Sequence, residues 1–84
     1  MGEGQPRPPR WEQKIRVFHA LLDRSNFEHN FTKALRDLEA QLDAQAAEAL
    51  AAGGSVVTED IVVSDDRSLL LAKIVFRLPV GDRA

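Results

Sequence analysis

Few side chains in this 84-residue chain are able to do chemistry, and they are scattered. It has no cysteine and no tyrosine, and its two histidines, His19 and His29, do not stand at ligand spacing on one element. Ser25, Ser55, Ser64 and Ser68 sit in capping, strand or turn contexts, with no G-x-S-x-G, phosphate-binding glycine loop or H-E-x-x-H around them. Gly53-Gly54 follows an apolar repeat, whereas phosphate loops precede a helix, so the pair is a helix stop. Glu59-Asp60 and Asp65-Asp66 could draw a hard cation, but a calcium loop needs several spaced carboxylates, and turn propensity accounts for Asp65-Asp66. The expectation is a non-enzymatic chain with no catalytic residue, no metal site and no cofactor.

One constellation has binding chemistry. Trp11 stands among Arg7, Arg10, Lys14 and Arg16, where an indole could stack on a base while the cations hold phosphates. The same ring could close the end of a core or fill a contact with another subunit. Residues 1–16 carry four cations and two anions, a balance of +2, and the remainder carries seven against eleven, or −4. A basic arm on an acidic body can touch nucleic acid or an acidic protein face. Its simpler reading is a solubilising terminus, and nucleic acid is not the expected partner. Pro6 to Arg10 has the look of a proline-rich groove ligand, a pattern common by chance.

The scaffold for these residues must be small. A chain of 84 residues allows one domain and buries only about 60% of its unfolded surface. Without cysteine it has no disulfide or thiolate zinc site to add stability. With 44% hydrophobic and 29% charged residues it is too apolar for a disordered tail. It shows neither a run of roughly 20 apolar residues nor an N-terminal apolar core, so the expectation is a cytoplasmic protein with no membrane partner. Residues 1–10 hold three of the four prolines and two of the five glycines and read as a flexible basic tail. Residues 11–80 read as the domain, and 81–84 as a disordered end.

Within the domain, residues 11–22 fit two templates. Trp11, Ile15, Phe18 and Leu22 recur at helical spacing, and Ile15, Val17, His19 and Leu21 would line one side of a strand. A strand over about 14–20 is preferred, because an isolated C-terminal hairpin needs a neighbour. Ser25-x-x-Glu28 reads as a capping box. Phe27, Phe31, Leu35, Leu38, Leu42, Ala46, Ala49 and Leu50 continue as one helical stripe to Gly53-Gly54. That helix would be roughly 40 Å long, more than a small sheet needs, with a thin alanine-rich second half. Residues 55–63 and 69–78 are rich in Val and Ile and read as a hairpin across Ser64 to Ser68. On the last strand Leu70, Ala72, Ile74, Phe76 and Leu78 should face the helix. Leu69, Leu71, Lys73, Val75 and Arg77 form an opposite face too apolar for solvent.

Read as strand, helix, strand, strand, the chain resembles two small families. Residues 14–78 are similar to the small sporulation proteins of endospore formers, with a first strand like Lys14-Ile15-Arg16-Val17-Phe18. The helix opening at Phe27-Glu28, the leucines at 35, 38 and 42, and the closing Ile74-Val75-Phe76-Arg77 follow the same pattern. No defined activity comes with that family, so the resemblance implies no catalytic residue. The element order and the Phe76-Arg77-Leu78 run also resemble the dodecins, flavin-storing shells that stack flavin on a tryptophan in the strand after the helix. Residues 55–63 hold no tryptophan, so this second resemblance implies an oligomeric habit without the flavin.

The expected fold is α+β, a three-stranded antiparallel sheet in the order β-α-β-β with one long helix on one face. The expected function is a self-associating module acting through protein–protein contacts, most simply a homodimer. Its expected interface is Leu69, Leu71 and Val75 on the sheet with Ala46, Ala49 and Leu50 on the distal helix. The alternative is a ligand or nucleic-acid binding module using Arg7, Arg10, Trp11, Lys14 and Arg16. The −4 body would also suit an inhibitor-like protein that engages an enzyme, with no motif to carry it.

Overall fold

The structure, a computed structural model, describes residues 10–80. The tail expected before Arg10, with Arg7 in it, and the end expected after Val80 lie outside the described residues. The element order is β1 (Trp11–Leu21), α1 (Phe27–Ala51), β2 (Ser55–Val63) and β3 (Leu69–Pro79). All pairings are antiparallel and the spatial order is β1-β3-β2, so the last strand in the chain is the middle of the sheet. The fold is the expected α+β arrangement.

The two-way reading of residues 11–22 resolves as a strand, and a longer one than 14–20. Every residue from Trp11 to Leu21 has a partner on β3, from Trp11 opposite Pro79 to Leu21 opposite Leu69. The pairing that an apolar run of this length cannot specify alone is supplied by β3, whose other side takes β2. β2 carries a bulge between Val56 and Thr58, which leaves Val57 as the extra residue on that edge.

Helix α1 begins without the expected capping box. Ser25 donates its hydroxyl to Asp23 Oδ1 at 2.9 Å, and its amide reaches the same oxygen at 3.0 Å. The box is lost by register: Asn26, not Ser25, is the N-cap residue, which puts Glu28 at the second helical position and not the third. Asn26 then opens the helix in the left-handed region, φ 57°, with no side-chain cap. The C-terminus follows expectation closely. Gly53 is left-handed at φ 85°, its amide donates to the Leu50 carbonyl, and the Gly54 amide donates to Ala49 at 2.7 Å. These two bonds are the paired 5→2 and 6→1 closure of a Schellman motif. Gly54 also lies so close to β3 that a Cβ there would run into the Arg77 carbonyl.

The core lies between α1 and one face of the sheet. Ala34, Leu38, Leu42 and Ala49 of the helix meet Leu70, Ala72, Ile74 and Phe76 of β3, with Leu22 closing one end. Phe18 and Ala20 from β1, and Val56, Ile61 and Val63 from β2, pack against that cluster. The 11-residue strands span about 37 Å at about 3.4 Å per residue, close to the roughly 38 Å of a 25-residue helix. The helix is thus not longer than its sheet, and the excess length expected from the sequence disappears. Gln45 is the one polar residue buried on the stripe.

Candidate functional site

Antiparallel register decides which side chains share the face away from the helix. Residues directly opposite one another lie on the same side of a sheet. Leu70, Ala72, Ile74 and Phe76 face α1, so Leu69, Leu71, Lys73, Val75 and Arg77 face outward. Their β1 partners, Leu21, His19, Val17, Ile15 and Gln13, share that side. From β2 come Val62, Asp60, Thr58 and Ser55. The result is one open face across three strands, with apolar side chains from each.

Ile15, Val17, Leu21 and Val62 on this face are between 57% and 80% exposed. Leu69 and Leu71 are half-buried, and Val75 is buried between Ile15 and Thr58, its partners on either side. The sheet part of the expected interface therefore sits on one face. The sequence reading missed its β1 and β2 contributors, because strand order cannot be read from a single chain. A shallow depression near the middle of the face is lined by Val17, Leu71, Val62, Lys73 and Asp60.

The helix part of the expected interface needs correction. Ala49 is 1% exposed and belongs to the core, and Ala46 packs against that core. Only Leu50, 63% exposed, points away from the sheet. The step from Ala46 to Ala49 keeps both alanines on the stripe, and small side chains let the helix end approach the sheet closely.

Trp11 and the basic residues are separated by the same register argument. Trp11 lies on the open side, whereas Lys14 and Arg16 pair with Phe76 and Ile74 and lie on the helix side. Lys14 Nζ is 3.5 Å from Glu12 Oε1, and the Arg16 guanidinium stands 5.8 Å from the Phe18 ring centroid. The cation on Trp11 is instead Arg77, 5.4 Å from the ring centroid, from the strand next door. Arg10 is exposed, and its carbonyl accepts from the Val80 amide at 2.9 Å.

The remaining polar groups hold structure. Asp66 Oδ1 accepts from the Ser68 hydroxyl at 2.6 Å, the Ser64 hydroxyl at 2.8 Å and the Ser68 amide at 3.1 Å. These donors, the Ser68 hydroxyl foremost, bring its carboxyl from 3.8 down to about 2. Two of the four serines are thereby occupied in closing the hairpin, whose Arg67 is left-handed at φ 59°. His19 is on the open face and His29 on α1, with the sheet between them. Glu39, Asp43 and Glu59 line a depression between α1 and β2, yet no group of three or more His, Asp or Glu among the described residues converges as a metal site. No described helix is long and apolar enough to cross a membrane.

Comparison with protein-family models, with curated proteins and with solved structures found no match.

Proposed function

We propose that this chain is a small non-enzymatic module whose role is to self-associate through protein–protein contacts made by the open face of its sheet. The observation that carries the reading is the contiguous exposure of Ile15, Val17, Leu21 and Val62 beside Leu69 and Leu71. A monomer seldom leaves a large apolar patch in water, and each buried apolar side chain returns about 1.5–3 kcal/mol. A chain of this size has little other stability to draw on. The most economical cover is a second copy, because one patch then serves both partners. The oligomeric habit that the resemblance to dodecins implies points the same way.

Sedimentation velocity across a micromolar concentration series tests this. A dimer that dissociates on dilution supports it. A monomer that persists to high micromolar concentration removes it. The binding module built on Trp11 and the basic arm has less support, since Trp11 faces away from Lys14 and Arg16 and carries Arg77 on its ring.

A further inference from the structure

Among the described strand residues of the open face, His19 alone is of a type that changes charge between about pH 5 and 8. The other charged groups there are Lys73, Arg77 and Asp60, and ammonium, guanidinium and carboxylate groups ordinarily titrate outside that range. His19 is exposed and sits in the most apolar part of the face. Val17 and Leu21 flank it on β1, Leu71 lies directly opposite on β3, and Val62 of β2 lies beyond Leu71. Its diagonal neighbours on β3 are Leu69 and Lys73, and Lys73 brings a like charge that disfavours an imidazolium. Asp60 is two strands and one row away, about 12 Å between Cα atoms at ordinary sheet spacings. Helix α1 packs on the other side of the sheet and brings no charge to the ring.

Pairing on this face takes the ring out of water. A face of about 37 Å by about 14 Å offers roughly 500 Å² per copy, or about 1,000 Å² in a pair, the lower bound for a specific interface. A dimer must therefore use all of it. A two-fold along the strands, over β3, sets β1 against the partner's β2 and His19 against the partner's Val62. A two-fold across the strands at mid-length sets β1 against the partner's β1, reversed, and His19 against the partner's Gln13. With either axis the group across from His19 is not a carboxylate. An imidazolium there is buried without a counter-charge, whereas the neutral ring is penalised far less.

We infer that self-association through the open face is switched by protonation of His19, copies pairing when the ring is neutral and separating when it takes a proton. This rests on the self-association proposed above. Each copy must give up its proton to pair, so a dimer formed from protonated chains releases two, and acid drives the reverse. The direction is opposite to the effect of overall charge. The chain's net charge of −2 at pH 7 shrinks as pH falls, and loss of net charge by itself favours association.

Sedimentation equilibrium of the full chain between about pH 7.5 and about pH 5.5 tests the switch. The dimer Kd should rise at least about tenfold toward acid, and about 100-fold where neither copy keeps its proton in the dimer. His19→Gln and His19→Leu, neutral throughout, should dimerise with a Kd that varies less than about threefold over the same range. His29→Gln, on the far side of the sheet, should keep the full dependence. A Kd that does not rise in acid, or a His19→Gln dimer with the original pH dependence, overturns the switch and leaves self-association standing. So do His19 variants that stay monomeric at about pH 7.5, since a neutral side chain there should permit pairing. Far-UV circular dichroism should be the same at both ends of the range; its loss in acid means dissociation by unfolding and also overturns the switch. If the unaltered chain is monomeric at every pH, the underlying reading fails and the switch with it.

Discussion

The two faces of the sheet are built from the same strands and similar residue types, yet they differ in what covers them. Toward α1, Leu70, Ala72 and Ile74 are fully buried and the facing helix supplies Leu38 and Leu42. On the other side Ile15, Val17, Leu21 and Val62 remain largely in water. Alternation in a half-buried sheet usually places polar residues outward. Here the outward positions hold valine, isoleucine and leucine, interrupted by Lys73, Arg77, Asp60, His19, Gln13, Thr58 and Ser55. One period-two pattern thus gives the same three strands a covered apolar face and an uncovered one.

Substitutions should separate the two faces. Ile74→Ala on the covered face should cost about 2–5 kcal/mol of unfolding free energy, measured by urea denaturation with Trp11 fluorescence. Gly54→Ala, at the point where α1 hands over to the covered face, should cost about 1–3 kcal/mol by the same measurement, because the obstructing atom is backbone and cannot step aside. Val17→Asp on the open face should weaken self-association by at least about 30-fold, about 2 kcal/mol. Its far-UV circular dichroism should be unchanged, and a loss of secondary structure would mean that the open face is needed for folding.

Two smaller effects concern the joints that both faces share. Gly53→Ala forces a Cβ into the left-handed region and should lower stability by about 1 kcal/mol. Asp66 is lowered in the folded chain, so its contribution is present above the ordinary value of 3.8 and is lost as pH falls through about 2. The hairpin should therefore loosen between those values, and a carboxyl NMR titration of Asp66 should give a midpoint near 2. A midpoint near 3.8 would mean that the serine hydroxyls do not hold it in solution.

The fold was legible where local chemistry decides it. Helix, hairpin and helix stop follow from apolar spacing, turn residues and the two glycines. β1 was ambiguous because its residues satisfy helical and strand spacing alike, and only pairing along β3 chooses between them. The capping box failed because the helix starts at Phe27 with Asn26 as its N-cap residue, one place later than Ser25-x-x-Glu28 requires. Half of the candidate surface was visible in the alternation of β3. Ile15, Val17 and Val62 were not assigned to it, since their neighbours depend on a strand order with β3 in the centre. Ala49 was misplaced because an alanine stripe reads as thin until the sheet is known to come close to it.

That central position has a consequence for the order of events in folding. The strand that holds the sheet together is the last of the three to leave the ribosome. Leu21 waits for Leu69, 69 − 21 = 48 residues later, and Trp11 for Pro79, 79 − 11 = 68 later. Until β3 emerges, β1 and β2 have no neighbour to pair with, and α1 has only half a surface to rest on. Closure over such separations is slow compared with helix formation, so the nascent chain should carry a formed helix and an unpaired β1 for much of its synthesis. The window during which that apolar strand is available to other chains is set by translation speed, before stability enters at all.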